Sequence, residues 1–169
     1  MKQLLISSIN HNLNNAIVLL DEIDKDTYCD TSIGPYYSSI GSHIRHILDF
    51  FDCIINGLDT NSIDLTARKR DEVLSIHRDA AKNHIYEIQE TLLSYVDINT
   101  DFLIHVVDNM GQGKVKVTYT FESILAHANS HAIHHYAVIG YLLENFGVKL
   151  KIDGFGYNPT TPVEKREGI

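Results

Sequence analysis

A row of histidines in the last third of the chain is the feature most able to support chemistry. His127, His131 and His135 are spaced four residues apart, so on an α-helix they would form one row. Residues four apart on a helix are neighbours, with Cβ atoms about 5–6 Å apart, which lets two imidazoles share one ion. His131 and His135 also interrupt an apolar stripe, where an unpaired polar ring would be costly. The spacing therefore favours a metal site inside a helical bundle.

The same histidines have a plainer interpretation as hydrogen-bonded residues of the core. One inward-facing histidine is usually of that kind, but two histidines one turn apart favour a metal ligand pair. His127 could be a further ligand, a base beside the ion or a partly exposed residue. His134 lies about a quarter turn from His135 and is expected to touch a neighbouring helix. His84 lies among polar residues and is expected at the surface.

A third ligand must come from another part of the chain, because two imidazoles rarely hold an ion alone. A second amphipathic segment offers His43 and His46. Both lie on its apolar arc, and periodicity alone slightly prefers His43, which is nearer the centre of that arc. Three neutral imidazoles suit Zn²⁺, Ni²⁺ or Fe²⁺. They would leave at least one coordination position open, and the lack of nearby cysteines weighs against a closed structural zinc site.

The elements that must position these residues are four amphipathic helices. Apolar residues recurring at intervals of three and four predict helices over about residues 3–26, 38–57, 76–96 and 120–147. Residues 102–107 and 114–119 flank a linker rich in turn residues and predict a β-hairpin. The expected fold is all-α, a four-helix bundle with this small hairpin between its third and fourth helices. A length of 169 residues suits one domain, spanning residues 1–169.

The remaining segments are expected to be loops. Residues 26–35 and 59–75 are rich in polar or turn-forming residues. The tail from Val148 onward is expected to be an ordered loop whose charged end is frayed.

Composition limits the classes of partner. The net charge of −8 argues against nucleic-acid binding, which requires a basic face. No apolar run approaches the roughly 18 residues that span a bilayer, so no membrane partner is expected and a small-molecule substrate is favoured. The amino-terminal residues lack the features of a signal peptide. Cys29 and Cys53 form no disulfide framework or CxxC motif, which is typical of the reducing cytoplasm.

Two segments resemble the motifs of a known group of proteins. Residues 39–49, ending His-Ile-Leu-Asp, and residues 131–135, His-Ala-Ile-His-His, are similar to motifs of the DinB-like superfamily, also called the YfiT-like metal-dependent hydrolases. In the first motif the ligand precedes the apolar-apolar-Asp triplet, which is His46 here. In the second motif the ligands are His131 and His135. The resemblance therefore selects His46 where periodicity prefers His43.

The resemblance implies more than a ligand set. It implies an up-down-down-up bundle, a divalent ion held by three histidines near one end, and a homodimer. Characterised relatives include transferases and isomerases that use mycothiol or bacillithiol, so hydrolysis or thiol-dependent S-transfer on a small molecule is expected. A low-molecular-weight thiol would be the cosubstrate of such a transfer. His43, His127 and His134 are candidates for a general base by their position only.

Two interpretations in which the protein is not an enzyme stay open at this point. In one, the bundle is non-catalytic and its ion only locks two helices together. In the other, the histidines form hydrogen bonds and no ion is bound. Metal analysis of the purified protein separates the second from every other hypothesis.

Several further residues are candidates for the surroundings of the ion. Arg68 and Arg70 could bind the carboxylate of a thiol cofactor or an acidic substrate, although arginines in exposed loops are more often simply solvated. Asp49 could orient an imidazole. A helical wheel, however, places Asp49 on the polar face of its helix and predicts a surface position. Phe50 stands where relatives in a closer subgroup often have a further histidine.

Overall fold

The computed structural model describes residues 1–162, which form six helices and three short strands. The helices are α1 (Lys2–Glu22), α2 (Lys25–Cys29), α3 (Ile40–Gly57), α4 (Glu72–Ile76), α5 (Arg78–Ser94) and α6 (Phe121–Phe146). The strands are β1 (Ser62–Asp64), β2 (Leu103–Asn109) and β3 (Lys114–Thr120), and a 3₁₀ turn covers Leu58–Thr60. The charged end of the tail, residues 163–169, lies outside the described residues.

The four long helices and the hairpin confirm the elements predicted from periodicity. The loops predicted over residues 26–35 and 59–75 are wrong in part, because they contain α2, α4 and β1. The two short helices begin at side-chain caps, where Asp24 accepts a hydrogen bond from Thr27 N and Asp71 accepts one from Val73 N. Helices of five residues are not stable alone, so these two depend on the tertiary packing around them.

The hairpin belongs to a larger sheet than predicted. Strand β2 pairs antiparallel with β3, as expected, and also pairs in parallel with β1, so that Ile63 lies opposite Val106. Both of these side chains are buried. The protein is therefore mostly helical with a small three-stranded sheet. This sheet connects the chain that follows α3 to the strand that leads into α6.

The core lies between the four long helices. Helix α1 packs against α5 and α6, and α3 packs against the same two helices. Their inner faces are lined by apolar side chains that are almost fully buried, among them Ile6, Leu13, Ile44, Phe51, Ile85 and Ile139. Helix α3 is also covered by α2 and α4 on another side. Among residues 1–162, no helix combines the length and the apolar character that a bilayer crossing requires.

Helix α6, which carries the histidine row, has well-defined ends. Thr120 caps its amino terminus by accepting a hydrogen bond from Ser123 N, and the Ser123 hydroxyl accepts one from Thr120 N in return. Gly147 ends the helix in the left-handed conformation, with φ of 70°. These local signals set the ends of α6, so that His127, His131 and His135 all lie within the helix.

His84 is half-buried rather than simply at the surface. Its Nε2 lies 2.9 Å from the Asp52 carboxylate of α3, and its Nδ1 lies 3.0 Å from Glu87. The hydrogen bond to Asp52, opposed by partial burial and assisted by Glu87, raises the pKa of His84 to about 9. The protonated ring thus links α5 to α3.

We expect His84→Gln to destabilise the protein in a pH-dependent way. Because the folded pKa lies above the ordinary value of 6.5, the stabilisation is complete below pH 6.5 and is lost as the pH rises through about 9. The upper limit of this stabilisation is about 3 kcal/mol, because a difference of one pKa unit corresponds to about 1.36 kcal/mol. Urea unfolding of both proteins at pH 6, 8 and 10 should show a free-energy gap that narrows toward pH 10. A gap independent of pH would contradict the ion pair.

Candidate metal centre

Helices α3 and α6 bring three of the predicted histidines together. His46 comes from α3, while His131 and His135 come from α6, one turn apart. One ring nitrogen of each lies within 4.8 Å of those of the other two. The three ring centroids are separated by 4.6 to 4.9 Å. All three side chains are half-buried, so the group lies at the margin of the core and not in its centre.

The geometry and the protonation of this group fit a divalent ion. Nε2 of His46 lies 3.0 Å from Nε2 of His131. Two nitrogens bound tetrahedrally at 2.0–2.1 Å from one zinc ion would be about 3.3 Å apart. Burial, assisted by neighbouring positive charges, lowers the pKa of both rings to about 4 and lowers that of His135 further. The rings are therefore neutral at pH 7, as ligands must be.

His43, which periodicity preferred as a ligand, lies beside the group of three. Its Nδ1 is 2.9 Å from Nδ1 of His135, and its Nε2 is 2.8 Å from the Ser38 hydroxyl oxygen. If His135 donates its Nδ1–H to His43, the Nε2 of His135 keeps a free lone pair for an ion. His43 can therefore fix the orientation of a ligand ring, as hydrogen-bond partners of metal ligands commonly do.

Arg68 reaches the group from the connection between α3 and α4. Its Nη1 lies 2.6 Å from Nδ1 and 3.3 Å from Nε2 of His46. The side chain is half-buried, and its Nε finds no hydrogen-bond partner among the described residues. The arginine that could have been merely solvated is thus in contact with one of the three histidines. Arg70, the other candidate, has an exposed side chain and does not join the group.

The model of the DinB family matches residues 1–164. The chain belongs to the DinB family. A search of curated proteins and a search of solved structures gave no significant match.

In this DinB family protein, Asp49 is buried, and the surface position predicted for it is wrong. Its side chain is 2% exposed. Oδ1 accepts a hydrogen bond of 3.0 Å from the backbone N–H of Arg70, and Oδ2 lies 3.6 Å from Arg45 in an ion pair. The connection between α3 and α4 folds back over the polar face of α3 and covers Asp49. Burial raises the pKa of this carboxyl group. Its role is to hold the segment that carries Arg68, not to orient an imidazole.

The ring of Phe50 separates His127 from the group of three. Phe50 is buried and stacks on His131, with ring centroids 4.6 Å apart and planes inclined by 25°. It also meets His127 edge-on at 5.2 Å. The ring of His127 lies parallel to that of Tyr119 at 6.0 Å. His127 therefore continues the helical row but faces the hairpin, and Phe50 supplies an apolar wall to His131.

Two cavities lie along α6, and neither is lined by His46, His131 or His135 themselves. One of about 280 Å³ lies between the Ile33–Ser38 loop and α6, and Ser38 and Val138 are among its lining residues. Another of about 360 Å³ is lined by His134 together with Gly156 and Pro159 of the tail. His134 is exposed, and its ring lies 5.3 Å from that of His135. Ser38 and His134 therefore each connect a cavity to the histidines.

Proposed function

We propose that this DinB family protein is a metal-dependent enzyme that acts on a small molecule. The observation that carries the proposal is the convergence of three neutral imidazoles, from two helices, within 4.8 Å of one another. His46, His131 and His135 would hold the ion, which would be Zn²⁺, Ni²⁺ or Fe²⁺. An ion with three protein ligands keeps a position at which it can acidify a water or thiol, or polarise a carbonyl. The reaction would be hydrolysis or a thiol-dependent S-transfer.

The residues around the histidines would contribute binding and orientation. His43, held by Ser38, would keep the His135 ring in one orientation. The cavity between the Ile33–Ser38 loop and α6 is mostly apolar and is large enough for a small substituent of a substrate. His134, exposed in the other cavity, and His43 are the nearest candidates for a general base. Phe50 would exclude water from one side of His131.

The proposal also covers the connectivity of the helices, the oligomeric state and the partners. We infer an up-down-down-up connectivity, as the family resemblance implies. The packing of α1 and of α3 against both α5 and α6 supports the crossed connections of such a bundle, because it places the consecutive long helices α1 and α3 at opposite corners of a ring. We also propose that the protein is a homodimer in the cytoplasm. Its partner would be a small-molecule substrate, and neither nucleic acid nor a membrane. The net charge of −8 supports the exclusion of nucleic acid.

A non-catalytic bundle with a structural ion is the second candidate. The observation that favours it is the guanidinium of Arg68, which lies against His46 and narrows the approach to an ion. In that case the ion would only join α3 to α6.

Turnover by metal-free and metal-loaded protein separates the two candidates. Protein stripped with a chelator and reloaded with Zn²⁺, Ni²⁺ or Fe²⁺ is assayed for ester and amide hydrolysis, and for transfer of mycothiol or bacillithiol to an electrophile. We expect activity that disappears on stripping, returns on reloading and is absent in His131→Ala, with His84→Ala as the active control. Stoichiometric metal without turnover in any form would support the structural ion.

A further inference from the structure

The contact between Arg68 and His46 conflicts with metal binding by that ring. Nη1 of Arg68 lies 2.6 Å from Nδ1 and 3.3 Å from Nε2 of the same ring, so it lies over the face of the imidazole and not along either lone pair. The guanidinium thus holds a positive charge against the ring that would bind the ion. An ion bound at either nitrogen of His46 would lie close to this charge, so Arg68 and the ion repel each other at His46.

The surroundings supply no carboxylate in direct contact with these groups. Among residues 1–162, no carboxylate is hydrogen-bonded to Arg68 or to any of the three rings, whose partners are other histidines and Arg68. Asp49 acts on Arg68, and Asp108 on His131, only over a longer distance, and Asp49 is already engaged by Arg45 and by the backbone of Arg70. A divalent ion beside the half-buried guanidinium would therefore place two cationic groups together without a directly bound anion, which is costly away from bulk water.

We propose that the ligand of the metal centre carries a carboxylate that bridges the ion and Arg68. One oxygen would take the open coordination position and the other would accept hydrogen bonds from the guanidinium. A carboxylate suits this role because its two oxygens can serve two cationic groups, and because arginine matches its planar geometry. Nε of Arg68, which has no hydrogen-bond partner within residues 1–162, provides a further donor. The inference rests on the proposed function, since it requires the ion, and it specifies small carboxylates as the substrate class.

The probe is the Co²⁺-loaded protein, whose visible absorption changes when a ligand enters the coordination sphere. Acetate is the test ligand. Acetone has the same number of non-hydrogen atoms without the charge and cannot be hydrolysed, and 2-mercaptoethanol offers a thiol without a carboxylate. We expect acetate to change the spectrum saturably, acetone to have no effect, and 2-mercaptoethanol to bind without dependence on Arg68.

Arg68→Gln should change two affinities in opposite directions. The acetate Kd should rise about tenfold or more, because a charge-assisted pair is lost. The Co²⁺ Kd should fall severalfold, because a competing cation is removed. Arg68→Lys keeps the charge without the planar fork and should bind acetate with an intermediate Kd. Lys69→Gln is the control, since it removes one positive charge from the same loop, where the exposed Lys69 pairs with Asp71 alone among residues 1–162. Both affinities should stay unchanged in that variant.

The binding measurements distinguish a role of Arg68 in carboxylate binding from a purely structural role. A purely structural role of Arg68 would weaken acetate and Co²⁺ binding together, and this would overturn the proposal. An unchanged acetate Kd in Arg68→Gln would do the same. Failure of the wild-type protein to bind Co²⁺ would remove the metal centre, and with it both this inference and the proposed function. Normal Co²⁺ binding with acetate affinity independent of Arg68 would remove this inference alone.

Discussion

Replacing His131 or His135 by alanine is expected to abolish stoichiometric metal binding, whereas His84→Ala is expected to retain it. Each of the first two changes removes one of three neutral nitrogen donors that lie within 4.8 Å of one another. Two imidazoles rarely hold an ion alone, so the loss should be nearly complete and not partial. Elemental analysis of the purified proteins, before and after dialysis against one equivalent of Zn²⁺, measures the effect.

His84→Ala is a matched control because it removes a half-buried histidine that is engaged by Asp52 and Glu87 and lies outside the group of three. Circular dichroism of each variant establishes that the helices are retained. Equal metal content in all three variants would contradict the assignment of the ligands.

Gly41→Ala is expected to destabilise the protein by about 3 kcal/mol. A Cβ at this position would lie 2.1 Å from the carbonyl oxygen of Ser75 and 2.9 Å from the ring of Tyr28. The first of these contacts is with backbone, so α3 and α4 would have to separate. Urea denaturation measures the change in the free energy of unfolding. Since Gly41 lies in the first turn of α3, the helix that carries His46, the metal affinity of this variant should weaken as well.

Gly140→Ala provides the comparison for this prediction. Gly140 also lies in a helix, but a Cβ there would meet nothing within 4 Å. Alanine is favoured over glycine in helices by about 1 kcal/mol, so Gly140→Ala should be neutral or stabilising. A similar loss of stability in both variants would mean that α3 and α4 do not approach each other as the structure shows.

The long elements could be predicted from the sequence, while the short ones could not. Helices α1, α3, α5 and α6 each carry an apolar stripe at helical spacing, and that pattern is visible locally. Strand β1 has only three residues, and its partner β2 begins about forty positions later, so no local sequence pattern predicts β1. Helix α4 is held by packing on α3. Asp49 was misplaced for the same reason, because a wheel does not show that a later loop covers the polar face.

Which side chains meet at the metal centre could likewise be predicted only in part from the sequence. The proximity of His131 and His135 follows from their spacing on one helix. The choice between His43 and His46 does not, because both face inward and only the packing of α3 against α6 separates them. The resemblance to the DinB-like motifs selected His46, and the structure places that ring with the other two. The contact of Arg68 with His46 had no local signal, since it depends on the path of the loop between α3 and α4.

Backbone hydrogen bonds of the small sheet already join the segments on which the three histidines depend. The parallel pairing of β1 with β2 anchors the chain that follows α3, and Leu65 N–H donates to the Val107 carbonyl at 2.9 Å. Strand β3 runs directly into α6. An ion arriving at such a scaffold would need ring rotations but little ordering of the chain, in contrast to a zinc finger that folds only around its metal. The protein should therefore exchange one divalent ion for another without refolding.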